Sequence, residues 1–280
     1  MLPRILHLVL LLAPAGGAEF VGSTPCDPGA RQFLGGLAPS APCMSISWRL
    51  RLAGDRFGVS ASYFVPTRAN PNLAEAGPSV ERNGAWTLER GTAADSEANV
   101  VRLHPSLAFA RLGGRLLHLL DSKRRLMAGN GGWSYTLNLS GKDTLGARVP
   151  EPNHHVAAAA AAAPLAGVFD GRTPCEPLAR QFGLTVSGEC VKMKWRLRLH
   201  ADSTYVLEYS GHRDPARTGR FTTRASRGSV RGVVCQLDPD APRPFLAFLQ
   251  ADDDVLLFLG HDGEPLVGNA DFSYALSRQR

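Results

Sequence analysis

The stretch Cys43-Met44-Ser45-Ile46-Ser47-Trp48-Arg49-Leu50-Arg51-Leu52 decides how this chain is read, because it occurs twice. Cys190-Val191-Lys192-Met193-Lys194-Trp195-Arg196-Leu197-Arg198-Leu199 repeats its frame. In both, Trp and Leu alternate with Arg. A period of two places the apolar set on one face of a half-buried strand and the cations on the other.

Working outward, the match continues on both sides. Thr24-Pro25-Cys26-Asp27-Pro28 and Ala30-Arg31-Gln32-Phe33 recur as Thr173-Pro174-Cys175-Glu176-Pro177 and Ala179-Arg180-Gln181-Phe182. Gly84-Ala85-Trp86 answers Gly219-Arg220-Phe221, and Val100-Val101-Arg102-Leu103 answers Val234-Cys235-Gln236-Leu237. Gly129-Asn130 with Trp133-Ser134-Tyr135-Thr136-Leu137 returns as Gly268-Asn269 with Phe272-Ser273-Tyr274-Ala275-Leu276. Two tandem copies of one domain follow: residues 19–139 and 165–280, joined over 140–164 by a linker that carries His154-His155 and the alanine run Ala157 to Ala163.

Further strand patterns are Phe57 to Phe64 and Tyr205 to Tyr209, and the apolar runs Leu116 to Leu120 and Val255 to Leu259 read as strands buried on both faces. Short strands separated by turns about every 8 to 12 residues predict an all-β chain. Each copy is an antiparallel meander curling into a barrel or half-barrel. The Cys-bounded segments Asp27 to Pro42 and Glu176 to Glu189 have room for a short helix. With 29 Gly and 20 Pro, the chain excludes a helical bundle, and a net charge of +6 without a dense Lys/Arg run excludes a dedicated nucleic-acid binder.

Residues 1–18 have the three parts of a secretory signal peptide: Arg4, the apolar run Ile5 to Leu12, and small residues ending at Ala18, after which cleavage is expected. The run is shorter than the ~20 residues a membrane-spanning helix needs, and no other stretch compares with it, so no integral membrane segment is expected after cleavage. No cysteine stands where a lipoprotein is lipidated, Cys26 lying several residues beyond. The expectation is an exported, periplasmic or envelope-associated protein without a lipid anchor.

Export permits disulfides. Cys26 and Cys43, and Cys175 and Cys190, hold equivalent places in the two copies, so pairing within each repeat is the simplest arrangement. A loop of that size, bridged, contributes about 3 kcal/mol. Cys235 is left over, at the place of Val101, where it reads as a small buried hydrophobe.

Phe20-Val21-Gly22-Ser23-Thr24-Pro25-Cys26 and Phe169-Asp170-Gly171-Arg172-Thr173-Pro174-Cys175, each with a following cysteine, an amphipathic strand and a terminal Ser-Tyr-x-Leu, resemble the N-terminal domain of the NlpE family of bacterial envelope proteins. The resemblance covers most of the chain after the signal peptide. It implies a lipocalin-like, partly open β-barrel in each copy, and a non-enzymatic role in copper homeostasis or resistance, or in envelope stress sensing with an envelope signalling protein as partner. Two features depart from the family: the second cysteine follows at fifteen or seventeen residues rather than in a close Cys-x-x-Cys pair, and the lipidation cysteine is missing.

Copper as Cu(I) would use Cys26, Cys43 and Met44, or Cys175, Cys190 and Met193, if the cysteines are reduced; oxidised in pairs, they are structural. The linker histidines His154 and His155 suit either weak binding of a divalent ion or, more simply, a solvated linker. The stripe Lys192, Lys194, Arg196 and Arg198 suits either an anionic partner or a face kept wet, and Asp252-Asp253-Asp254 lacks the spacing of a calcium loop and reads as a turn. Motifs of serine hydrolases, phosphate-cradling loops and zinc proteases are missing, and no His is shared by the copies, which argues against an enzyme. The shared Arg31-Gln32 and Arg180-Gln181 are the polar residues to watch for function, or else simply anchors of the cysteine loop. The alternative function is a lipocalin-like carrier with a small apolar ligand held by Trp48, Trp86 and Trp133 in one copy and Trp195, Phe221 and Phe272 in the other.

Overall fold

The computed structural model describes residues 17–70, 72–141, 165–184, 190–210, 216–241 and 245–279. The first repeat runs β1 (Gly17–Pro25), α1 (Pro28–Leu34), β2 (Ser45–Ala53), β3 (Arg56–Pro66), β4 (Ala74–Arg90), β5 (Asn99–Leu103), β6 (Leu107–Leu112), β7 (Leu116–Leu119) and β8 (Thr136–Ser140). The second runs β9 (Gly167–Pro174), α2 (Glu176–Phe182), β10 (Lys192–Leu199), β11 (Thr204–Tyr209), β12 (Arg217–Ala225), β13 (Val233–Leu237), β14 (Ala247–Asp252), β15 (Val255–Phe258) and β16 (Ala275–Arg278). Each repeat is an eight-stranded antiparallel barrel in meander order, and each closes, β1 pairing with β8 and β9 with β16. Closure goes beyond the partly open barrel that the NlpE resemblance implies, and it removes both sheet edges.

Alternation sets the inner wall. Trp48, Leu50 and Leu52 of β2 and Trp195, Leu197 and Leu199 of β10 are buried in their barrels while the arginines between them face outward. The short helix expected between the cysteines is present in both copies. α1 starts on Asp27, whose Oδ1 accepts the Ala30 N–H at 3.0 Å, and lays Ala30, Phe33 and Leu34 on the first core. α2 lays Leu178 and Ala179 on the second.

The Phe-x-Gly-x-x-Pro-Cys signature has a physical explanation in this closure. Phe20 and Phe169 are fully buried. A Cβ on Gly22 would stand 2.7 Å from the Thr136 carbonyl and 2.9 Å from Leu137; on Gly171 it would stand 2.5 Å from the Ala275 carbonyl and 2.7 Å from Leu276. Only glycine lets the first strand of each barrel approach the last so closely. Two residues on, Thr24 and Thr173 accept the indole N–H of Trp48 and Trp195, both at 2.9 Å, satisfying a buried donor.

The runs around β7 and β15 are buried on both faces, and the reason is a third core. Leu117, Leu119, Leu256 and Phe258 fill the barrels, whereas Leu116, Leu120, Val255, Leu257 and Leu259 join Ala110, Leu112, Leu126, Val230 and Leu249 in an apolar cluster between the barrels. The repeats are therefore packed face to face, a relation the linker did not disclose. Lys142 to Pro164, most of the predicted linker including His154 and His155, and the first sixteen residues of the predicted signal peptide lie outside the described residues. The first barrel begins two residues before the predicted boundary: Gly17 pairs with Ala53 and buried Ala18 with Leu52.

Candidate functional site

The feature that both copies build alike is a disulfide-tethered helix at one end of a packed barrel. Cys26–Cys43 and Cys175–Cys190 are bonded, with Cα atoms 5.9 and 5.7 Å apart, so the pairing expected from the repeat is present. In the first copy the lid is held by side chains from several elements. Tyr63 Oη donates to Gly35 O at 2.7 Å, Arg82 Nε donates to Leu34 O at 2.7 Å, and Arg31 donates to Ala41 O at 3.1 Å and to Ala38 O. Arg31 thus anchors the cysteine loop as expected. Among the described residues Arg180 pairs within its own helix with Glu176 at 3.5 Å, both exposed.

As Cu(I) ligands the candidates do not fit this state. The sulfurs of Cys26, Cys43, Cys175 and Cys190 are bonded to each other and offer no thiolate, and Met193 is sealed in the second core. Among the described residues no three His, Cys, Asp or Glu side chains come together as metal ligands. Cys235 is free and fully buried, and desolvation pushes its thiol up to about 12.

The carrier pocket needs correction at two positions. Trp48 and Trp86 are buried in the first core and Trp195 and Phe221 in the second, but Trp133 and Phe272 belong to neither. Each sits in the turn before the closing strand, where Asn130 Oδ1 accepts the N–H groups of Gly132 and Trp133, and Asn269 Oδ1 those of Asp271 and Phe272. These side-chain-capped turns delay β8 and β16 and leave both rings outside the barrels, Trp133 under the guanidinium of Arg172 and Phe272 under Lys192. The interiors are occupied by side chains, with Phe20, Tyr63 and Phe109 in one and Phe169, Tyr205, Phe248 and Phe258 in the other nearly inaccessible.

The outward charges of the amphipathic strands are largely answered within the chain. Arg49 and Arg51 pair with Glu19, Arg196 with Asp170 at 2.7 Å, and Arg198 with Glu208 at 3.1 Å. Lys194, Arg172 and Arg196 line an open groove of about 430 Å³ beside Trp195 and Tyr209.

One buried polar pair escaped sequence reading. His118, on β7, is fully enclosed; its ring nitrogens lie 2.9 Å from Thr136 Oγ1 and 2.9 Å from Met127 O, and burial lowers its pKa to about 4. The neutral ring donates to the Met127 carbonyl and accepts from the Thr136 hydroxyl. The second copy has Leu257 and Ala275 at these places, a joint change that marks the pair in retrospect.

The second unforeseen site is the seam. Asp252, expected in a turn, ends β14 buried, and its Oδ2 accepts the Leu126 N–H from the other barrel at 2.7 Å. Gly129 N–H donates to Ser277 Oγ at 2.8 Å, Gly268 N–H to Asn138 Oδ1 at 2.8 Å, and Ser134 is hydrogen-bonded to Ser273. No helix among the described residues is long and apolar enough to cross a membrane. Comparison with protein-family models, with curated proteins and with solved structures gave no significant match to this chain.

Proposed function

We propose that this chain is an exported, non-enzymatic envelope protein of the NlpE type, acting in copper homeostasis or envelope stress sensing, and that it works through its outer surfaces on an envelope signalling partner. The observation that carries this reading is the disulfide-tethered lid repeated on both barrels. Such bridges are made and kept in oxidising compartments, and they tie the helix over a core that has no need of a ligand to be complete. The filled interiors favour this reading over a lipocalin-like carrier, which holds its ligand in an open barrel.

The test is intact mass of the protein recovered from its host, with and without thiol alkylation, together with growth of a deletion strain under copper salts and under envelope-damaging agents. The reading expects a chain shortened at its start, two disulfides, and a growth defect under at least one stress, restored by the wild-type chain. Unprocessed protein in the cytosol, or a lipophilic molecule recovered stoichiometrically with it, would overturn it.

A further inference from the structure

We propose that the two repeats form an internal pair whose contact surface is coded for unlike partners: repeat 1 fits repeat 2, and neither fits a second copy of itself. The centre of the seam has two-fold character. Ser134 and Ser273, 139 residues apart and at matching places in the copies, are bonded to one another. Gly129 donates to Ser277 while Gly268 donates to Asn138, the same contact made in both directions. The apolar cluster draws on matching strands, Ala110, Leu112 and Leu116 meeting Leu249, Val255 and Leu257. An isologous surface of this kind is the one two identical domains use to make a dimer.

The rim breaks that symmetry. Repeat 1 has Gly113-Gly114-Arg115 between β6 and β7 and Lys123-Arg124-Arg125 after β7; repeat 2 has Asp252-Asp253-Asp254 and Asp262-Gly263-Glu264 at the matching places. Across the seam the Asp252–Asp254 turn faces Arg125, and the Gly113 turn faces Glu264. A groove of about 620 Å³ sets Asp121 and Arg125 of repeat 1 opposite Asp252, Asp253, Asp254 and Arg278 of repeat 2. Within it Arg125 pairs with Asp121 and Arg278 with Asp254, and Arg125 feels Asp252 and Asp254 across the gap. At the other end Glu264, held by the Ser229 N–H at 3.0 Å and by the Ser229 hydroxyl, lies at the Gly113 turn, its Oε2 3.5 Å from where a Cβ on Gly113 would be.

Exchange of partners loses all of this. Two copies of repeat 1 would bring Lys123 and Arg125 to a turn bearing Arg115. Two copies of repeat 2 would bring Glu264 to Asp252, an acid where Gly113 now leaves room, and would offer Asp252 the nitrogen of Pro265, which has no N–H. Like charges set against each other across an interface are a standard means of rejecting the wrong partner.

The test uses the whole chain with a protease site placed between Gly141 and Pro164, cut after folding. Native mass spectrometry of the equilibrated, cut protein should show only the unlike pair, and its dissociation constant should rise as NaCl is increased, since the rim attraction is screened. Lys123→Glu with Arg125→Glu should weaken the pair about tenfold, and Asp253→Lys with Asp254→Lys added on the other half should recover most of the loss. A statistical mixture of like and unlike pairs, halves that simply separate, or a salt-independent dissociation constant would overturn the proposal. The salt series and the pair distribution are read on unmutated protein and hold if a variant fails to fold.

Discussion

The Leu126 N–H donates to Asp252 Oδ2 at 2.7 Å across the seam, and the residue that answers Leu126 in the second copy is Pro265. The same carboxylate accepts the Asp253 N–H, while burial raises its pKa. Asp252→Ala is therefore expected to destabilise the protein by about 1–3 kcal/mol, leaving a buried N–H without its acceptor. Asp252→Asn keeps an acceptor oxygen without burying a charge and should cost less than half as much. Urea unfolding at pH 7 of the two variants separates these outcomes; equal losses would show that the negative charge, and not the acceptor, matters.

Gly22 and Gly171 stand where the first strand of each barrel crosses the last, with backbone carbonyls 2.7 and 2.5 Å from the place of a Cβ. Gly22→Ala should cost about 1–3 kcal/mol by overpacking against a backbone that cannot yield. Gly58→Ala is the control, because its Cβ would meet only the flexible Asn83 amide, at 3.1 Å, and the change should stay within about 0.5 kcal/mol. Comparable thermal midpoints for the two variants would show that closure tolerates a wider gap between the strands.

The barrels were legible because their causes are local. Trp48, Leu50 and Leu52 alternate with Arg49 and Arg51, which is all a half-buried strand requires, and Cys26 and Cys43 hold the places of Cys175 and Cys190. The two-sided burial of Leu116 to Leu120 was legible as well, but what covers the outer side was not, since a buried run looks the same whether a helix, a loop or a second barrel lies on it. Trp133 and Phe272 were misplaced because an aromatic beside a closing strand reads as core; the cue to the contrary is the Gly-Asn whose asparagine, three residues earlier, caps the turn. Asp252 read only as part of a turn because its partner comes from 126 residues away.

The cysteines make one prediction in two parts. Alkylation of the native, unreduced protein should label no thiol, and alkylation after denaturation should label one, Cys235, whose sulfur is buried and whose pKa is raised to about 12. Cys235→Val, the residue of the matching place in repeat 1, should cost less than about 1.5 kcal/mol. Loss of either bridge, as Cys26→Ser with Cys43→Ser or Cys175→Ser with Cys190→Ser, should cost about 3 kcal/mol. Five thiols in the denatured, unreduced protein would show that the bridges do not form.

His118 couples stability to pH. Its folded pKa is lowered to about 4 by burial, and the unfolded value is about 6.5, so below pH 6.5 the unfolded chain takes up a proton that the folded chain refuses. The contribution is complete above pH 6.5, falls as the pH drops towards 4, and is gone below it, a loss of about 3 kcal/mol over the window. The carboxylates of Glu19 and Glu89, held below the ordinary range by their arginine partners, and of Asp121, held down by Arg125, act at the acid end of this range or beneath it. His118→Leu with Thr136→Ala copies the Leu257 and Ala275 of the second barrel, so the hole left by the imidazole has a known filling. The double variant should unfold at nearly the same denaturant concentration at pH 7 and pH 5, whereas the wild-type midpoint falls between them. An equal fall in both would place the acid sensitivity elsewhere, with the carboxylates as the next group to substitute.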